Sequence, residues 1–382
     1  MTPALATRAP LERSGVQLAK PADLHVAMPP ELEAHEPPEV RGASRADVRL
    51  MVSRTAAGEV SHHGFSALPD LLLPGDLLVV NNSATLPAAV AVPATPAALT
   101  GSRPLTVHFS TAMPDGGWLV ELRTGRGPAT APFGGGAAGL AIDLPAGAVL
   151  TLGGRFSQRL WHARLSTAVV PYLLHYGQPI RYSYVHRPWP IEAYQTVFAT
   201  WPGSAEMPSA ARPFTPEIVT RLVSRGVAIA PVTLHTGVSS LEGGEDPYPE
   251  SYDVPATTAR LVNLTRQAGG RVIAAGTTVV RALESAALGR DTVIAPSAAP
   301  GTAGLTAGIL GPAPGWTAHI VTRQSGVTVV DGLLTGLHEP RSTHLWMLAA
   351  FAADALLQRC YQDAAERGYR WHEFGDVHLL LP

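Results

Sequence analysis

A chain of 382 residues, 46% of them hydrophobic, has length for two domains or for one large domain with an insertion, and enough apolar side chains for a sizeable core. With 28 basic and 30 acidic residues the formal net charge is -2, which removes any whole-chain case for polyanion binding but leaves room for a local basic patch. A single cysteine, Cys360, excludes an intrachain disulfide and suits a buried structural thiol in a reducing cytoplasm.

Residues 1–25 have mixed polarity and no period, and read as a poorly ordered extension rather than a secretory signal. From Pro29 the chain is punctuated by proline and charge. The turn Pro74-Gly75-Asp76 then introduces a buried-strand candidate, Leu77-Leu78-Val79-Val80, which runs into the polar group Asn81-Asn82-Ser83. Between residues 89 and 163 the pattern changes to short alternating runs such as Leu105-Thr106-Val107-His108-Phe109 and Trp118-Leu119-Val120-Glu121-Leu122, separated by glycine and proline turns. This predicts a small antiparallel β-barrel inserted into a main domain made of 26–88 and 164–382.

From Thr215 onward helix and strand alternate. Thr215-Pro216-Glu217 supplies a cap and an N1 proline, Ile218, Val219, Leu222 and Val223 an apolar face, and Gly226 a stop. A strand over 227–234 follows and ends in His235-Thr236-Gly237. A helix over 256–268 leads to the strand 271–275, which Gly276-Thr277-Thr278 turns into a helix over 279–288. The β-branched run Val327 to Leu334 predicts a last strand before the loop Thr335 to Thr343, and one long helix from about His344 to the Glu366–Gly368 region. Its apolar part, Leu345 to Leu357, is too short to span a bilayer and carries Asp354. Alternation of this kind argues for an α/β main domain with mainly parallel strands, whose ligands bind at the strands' carboxyl ends.

Four polar clusters occupy that position: Asn81-Asn82-Ser83, His235-Thr236-Gly237, Gly276-Thr277-Thr278 and His338 to Thr343. Each alone is ordinary turn or cap chemistry; together they suggest one pocket. Thr277 and Thr278 combine hydroxyls with helix N-terminal N–H groups, which suit a carboxylate or phosphate. Arg281 and Glu284, spaced i,i+3, either pair on the helix surface or reach a ligand. His235 and His338 are candidate proton carriers, or histidines bonded to backbone carbonyls. Arg341, at a helix start with Ser342 and Thr343, opposes the helix dipole unless an anion is near. No phosphate-binding loop or nucleophile elbow is present, Gly134 to Gly139 lacks the flanking strand and helix of a dinucleotide site, and His62-His63 lacks further metal ligands.

On these residues the chain resembles the S-adenosylmethionine:tRNA ribosyltransferase-isomerase family of queuosine biosynthesis. The similarity runs over most of 29–380 and rests on Leu73-Pro74-Gly75-Asp76-Leu77-Leu78-Val79, Tyr194-Gln195-Thr196-Val197-Phe198, Val232 to Gly237, Gly276 to Ser285, Leu334 to Thr343 and Phe374-Gly375-Asp376, in family order. It departs from the family pattern at Pro208 to Phe214, where Pro213 replaces a histidine, at Asn81 to Ala84, which lack an acid and an arginine, and before Tyr252-Asp253-Val254-Pro255, which lacks a histidine. The resemblance implies an α/β barrel-like main domain with an inserted β-barrel, in a monomeric cytoplasmic enzyme. It implies transfer of the ribosyl part of S-adenosylmethionine to the aminomethyl group of a deazaguanine in a tRNA anticodon, with rearrangement to an epoxycyclopentane and loss of adenine and methionine. S-adenosylmethionine is then a consumed substrate and no cofactor is needed, since the sulfonium acidifies the C5′ protons for a positioned base. On this resemblance His235 or His338 moves protons, Thr277, Thr278 and Arg281 hold the methionine carboxylate, and Arg341, Ser342 and Thr343 hold ribose or an RNA phosphate; Asn81, Asn82, Ser83, Thr236 and Glu284 complete the expected substrate site. A small-molecule acceptor and a non-catalytic binding role remain open on the sequence alone.

Overall fold

The computed structural model describes residues 28–94, 103–126, 129–238, 248–288, 310–338 and 343–382. In chain order the strands are β1 (Arg49–Arg54), β2 (Glu59–Gly64), β3 (Leu77–Asn81), β4 (Ser83–Thr85), β5 (Ala89–Ala91), β6 (Leu105–Ala112), β7 (Trp118–Arg126), β8 (Ala129–Pro132), β9 (Ala141–Asp143), β10 (Val149–Arg155) and β11 (Leu160–Leu165). They continue with β12 (Trp201–Ser204), β13 (Ala228–Leu234), β14 (Glu250–Val254), β15 (Val272–Ala275), β16 (Ala313–Thr317), β17 (Gly332–Gly336) and β18 (Val377–Leu381).

A nine-stranded sheet in the order β16-β14-β13-β3-β15-β17-β18-β1-β2 forms the centre of the molecule. Its middle four strands, β13, β3, β15 and β17, run parallel, and antiparallel β14 and β18 take over on either side. Parallel strands covered on both faces need apolar residues at every position. The run Leu77 to Val80 meets that demand by splitting: Leu77 and Val79 enter one core with Val272, Ala274 and Leu333, while Leu78 and Val80 enter another with Ile273, Ala275 and Leu334. Helices Ala256–Gln267 and Thr277–Leu288 and the C-terminal helices cover the first face; Pro216–Ser224 and Leu68–Leu71 cover the second.

The helix Pro216–Ser224 begins as its sequence predicts, with Thr215 accepting from the Ile218 N–H, and ends before Gly226 at φ +82°. Two expectations need correction at the C-terminal end. The strand begins at Gly332, because the backbone N–H groups of Thr328, Val329 and Val330 donate to the Glu284 carboxylate instead of to a ladder. The single long helix is two, Thr343–Phe351 and Asp354–Glu366, since Ala353 adopts an extended conformation between them. Cys360 lies inside the second helix, free and buried, and burial pushes its thiol up to about 11.

A second, seven-stranded sheet follows the order β5-β6-β7-β11-β10-β9, with β8 paired to β7, around its own apolar cluster that includes Phe109, Trp118, Leu122, Leu150 and Trp161. Among the described residues its end strands β5 and β9 do not pair with each other, so the sheet is not seen to close on itself. It touches the loop after β13, where the Val238 N–H donates to Ser110 Oγ at 3.0 Å. No helix among the described residues is long and apolar enough to cross a membrane.

Candidate active site at the strand ends

The register Pro231↔Val80↔Ala275↔Leu334 aligns the middle four strands, so their carboxyl ends open on one rim. At roughly 4.8 Å per strand the row from β13 to β17 spans about 14 Å, the length of a nucleoside with a short side chain. Three of the four polar clusters sit on this rim within the described residues, and the fourth begins there with His338.

Asn81, the last residue of β3, is buried and ties the rim together. Its side-chain amide donates to Leu234 O at 2.9 Å and to Thr278 Oγ1 at 3.3 Å, while its oxygen accepts from Ser83 N at 3.0 Å and Leu234 N at 3.1 Å. All of its hydrogen-bonding capacity near the β13 end is used inside the protein, which assigns it to holding the loops rather than to open ligand contact. Asn82 turns the other way and accepts from Thr233 Oγ1 at 2.6 Å.

Ser83 connects β4 to the first candidate base. Its hydroxyl lies 2.7 Å from His235 Nδ1 and 2.6 Å from Ser204 Oγ, and Ser204 Oγ also accepts from the Thr236 N–H at 3.0 Å. Burial lowers the His235 pKa below the ordinary imidazole value, so the half-buried ring is neutral at pH 7. Gly203 makes room for it: a Cβ there would stand 2.5 Å from His235 Cε1. The Thr236 hydroxyl donates to Glu206 O at 2.6 Å.

Gly276, at φ +105°, makes the turn between β15 and the helix Thr277–Leu288. The helix starts two residues earlier than the apolar period suggests, so Thr277 and Thr278 form its first turn, whose N–H groups have no acceptor within the helix. One turn on, the Arg281 guanidinium is fixed: Nη1 donates to Glu250 Oε2, Nε to His319 O at 3.2 Å and Nη2 to Thr317 O at 3.2 Å. Glu250 accepts from the Gly237 N–H at 3.0 Å as well, linking this helix to the His235 loop.

Glu284 departs from expectation. It neither pairs with Arg281 nor faces the rim; it is buried and accepts from Thr328 N, Thr328 Oγ1, Val329 N and Val330 N at 2.7–3.1 Å. Four donors saturate a carboxylate, so this side chain is scaffold.

At the end of β17 the half-buried His338 ring lies 4.4 Å, centroid to centroid, from His344, which lies 3.3 Å from Thr335 Oγ1. Desolvation brings the His338 pKa down to about 4 and holds that of His344 well below the ordinary imidazole value, so both rings are neutral. Arg341 and Ser342 lie outside the described residues, and Thr343 opens the helix Thr343–Phe351.

The chain matches, over residues 22–380, the family described as queuosine biosynthesis protein. It belongs to that family. A protein of Chlorobium luteolum named S-adenosylmethionine:tRNA ribosyltransferase-isomerase is 32% identical over 360 residues, covering 88% of this chain and 94% of its own. One of the same name from Acidiphilium cryptum is 35% identical over 332 residues, with 82% and 87% covered. The crystal structure of S-adenosylmethionine tRNA ribosyltransferase from Thermotoga maritima superposes with a TM-score of 0.51 at 26% identity, over 94% of this chain and all of that one.

Several rim residues of this family member carry no signal in its sequence alone. Ser204 reaches the site from a short ribbon strand far from any motif, Glu250 from β14 just before Tyr252-Asp253-Val254-Pro255, where nothing local marks it for the site, and Gly203 is defined only by the ring packed on it. Arg212, inside the divergent Pro208–Phe214 segment, is almost wholly buried, and its Nη2 donates to both carboxylate oxygens of Glu39 at 2.9 and 3.0 Å. Apart from half-buried Ser209, that segment is buried, with Ala210 beside the rim glycine Gly276.

Proposed function

We propose that this protein transfers and isomerises the ribosyl moiety of S-adenosylmethionine onto 7-aminomethyl-7-deazaguanine in tRNA, forming epoxyqueuosine with release of adenine and methionine. One observation carries the reading: a family match over nearly the whole chain coincides with polar loops gathered at the carboxyl ends of four adjacent parallel strands. S-adenosylmethionine is a consumed substrate here, and the chemistry calls on no cofactor.

In this proposal His235 is the base that removes a C5′ proton. The tautomer with Nδ1–H donated to Ser83 leaves Nε2 free to accept, and the lowered pKa keeps the ring unprotonated at neutral pH. Thr277 and Thr278 receive the methionine carboxylate at the helix N-terminus. Arg281, with an unused N–H on each terminal nitrogen, adds positive charge behind them. His338 serves a second proton transfer or a hydrogen bond to the sugar, and Arg341, Ser342 and Thr343 extend the rim toward RNA phosphate. The seven-stranded sheet, as an inserted β-barrel domain on the α/β main domain, completes the arrangement, and the protein acts as a cytoplasmic monomer.

The test is incubation of purified protein with S-adenosylmethionine, with and without precursor tRNA, following adenine release. Release that requires the RNA supports the proposal. RNA-independent release, or none under either condition, rejects it.

A further inference from the structure

Trp201 is 63% exposed. An indole is large and apolar, with a flat face suited to stacking. The backbone there is well held: its N–H donates to Asn82 O at 3.1 Å, and Trp201 pairs with Ser83 in the parallel ribbon of β12 and β4. Partners in register carry their side chains on the same face of a ladder, and on that face the Ser83 hydroxyl meets Ser204 and His235. Two residues on, Gly203 lies against the His235 ring. Trp201 is therefore held by its backbone on the same ribbon as the two residues that touch the candidate base, Ser83 and Gly203, with its indole exposed.

We propose that Trp201 is a stacking platform for a nucleobase of the RNA acceptor. Planar heterocycles need a flat apolar face with polar groups near its edge, and the ladder neighbours of Trp201 are polar: Ser83 in register, and Asn82, whose backbone oxygen accepts the Trp201 N–H. The charge balance points the same way. A chain of net charge -2 draws little from general attraction to phosphate, so stacking, which is insensitive to charge, carries a larger share of RNA affinity. An RNA base fits better than the adenine of S-adenosylmethionine because Trp201 belongs to the β12–β4 ribbon that Ser83 joins to His235 at the end of β13, whereas Thr277, the proposed carboxylate site, opens the helix after β15. This inference rests on the function proposed above and names the residue that receives its second substrate.

The test compares wild type, Trp201→Ala and Trp201→Phe for the KM of an anticodon stem–loop in adenine release, and for S-adenosylmethionine affinity by calorimetry. Loss of one base–aromatic stack raises the stem–loop KM by roughly 5- to 150-fold in Trp201→Ala, with recovery in Trp201→Phe and unchanged nucleoside affinity. An unchanged KM in Trp201→Ala overturns the inference while leaving the proposed function standing. A loss confined to S-adenosylmethionine affinity overturns it too and assigns the indole to adenine. Should wild type release no adenine, stem–loop quenching of tryptophan fluorescence decides separately: stacking predicts quenching in wild type that Trp201→Phe loses, and equal quenching in both overturns it.

Discussion

Gly203→Ala tests the placement of His235 without touching an ionisable group. The new methyl would stand 2.5 Å from His235 Cε1 and 2.7 Å from Cγ. Comfortable contact needs about 3.5 Å, so the ring must retreat by roughly 1 Å. The Ser83 hydroxyl now lies 2.7 Å from Nδ1; after such a retreat the separation approaches 3.7 Å, beyond hydrogen-bond range. The strain of overpacking is about 1–3 kcal/mol, and the lost hydrogen bond about 1 kcal/mol more. The half-buried ring can relieve part of this by swinging toward solvent, so the fold survives with a Tm lowered by a few degrees. Catalysis suffers more: displacing a reacting group by about 1 Å lowers kcat on the order of 100-fold. The assay is the initial rate of adenine release at saturating S-adenosylmethionine and tRNA, measured for Gly203→Ala, His235→Ala and the double variant. If His235 is the base, the alanine at 203 adds no further loss once the ring is gone. Wild-type kcat in Gly203→Ala, or full additivity in the double variant, refutes the reasoning.

Three further outcomes follow from the same geometry. Glu284→Gln places an amide NH2 where four donors now converge and destabilises the protein by about 2–4 kcal/mol, lowering Tm while S-adenosylmethionine affinity of the folded protein stays unchanged; a selective loss of affinity would return Glu284 to the substrate site. Glu250→Ala removes the acceptor shared by Arg281 and the Gly237 N–H, leaves a guanidinium buried without its carboxylate, and destabilises by about 3–5 kcal/mol in urea unfolding; an unchanged midpoint contradicts the pairing. His378, fully buried against Ser53 Oγ at 2.8 Å, has its pKa pushed down to about 3 by desolvation. The unfolded chain then binds more protons between pH 6.5 and 3, so this contribution to stability is complete above pH 6.5 and is lost as pH falls; urea midpoints at pH 7, 5.5 and 4.5 should drop less steeply in His378→Gln than in wild type.

Local chemistry made much of the fold legible before any coordinates. The cap at Thr215, the stop at Gly226 and the continuous apolar run Leu77 to Val80 each act within a few residues of themselves, and the observed elements follow them closely. The strand-end position of the polar clusters was legible for the same reason, because parallel strands joined by helices put their carboxyl ends on one side whatever the remaining details. Where the reading failed, a distant group had intervened. Val327 to Val330 have strand propensity, yet Glu284, more than forty positions earlier, takes their N–H groups. Arg281 and Glu284 sit at helical pairing distance, yet each finds a better-placed partner elsewhere.

The sequence alone determined the alternation of elements, the family, and the residue types available for chemistry, since these rest on short-range periodicity and on the order of motifs. Only the tertiary structure decided which of those residues lie at the strand-end rim and which are tied up within the protein. It set Ser83 against His235, withdrew Asn81 and Glu284 into the scaffold, and brought Ser204, Gly203 and Trp201 to the rim from a ribbon that no periodicity marks. Hydrogen-bond partners and strand neighbours far apart in the chain are chosen by packing, and packing is a property of the whole fold.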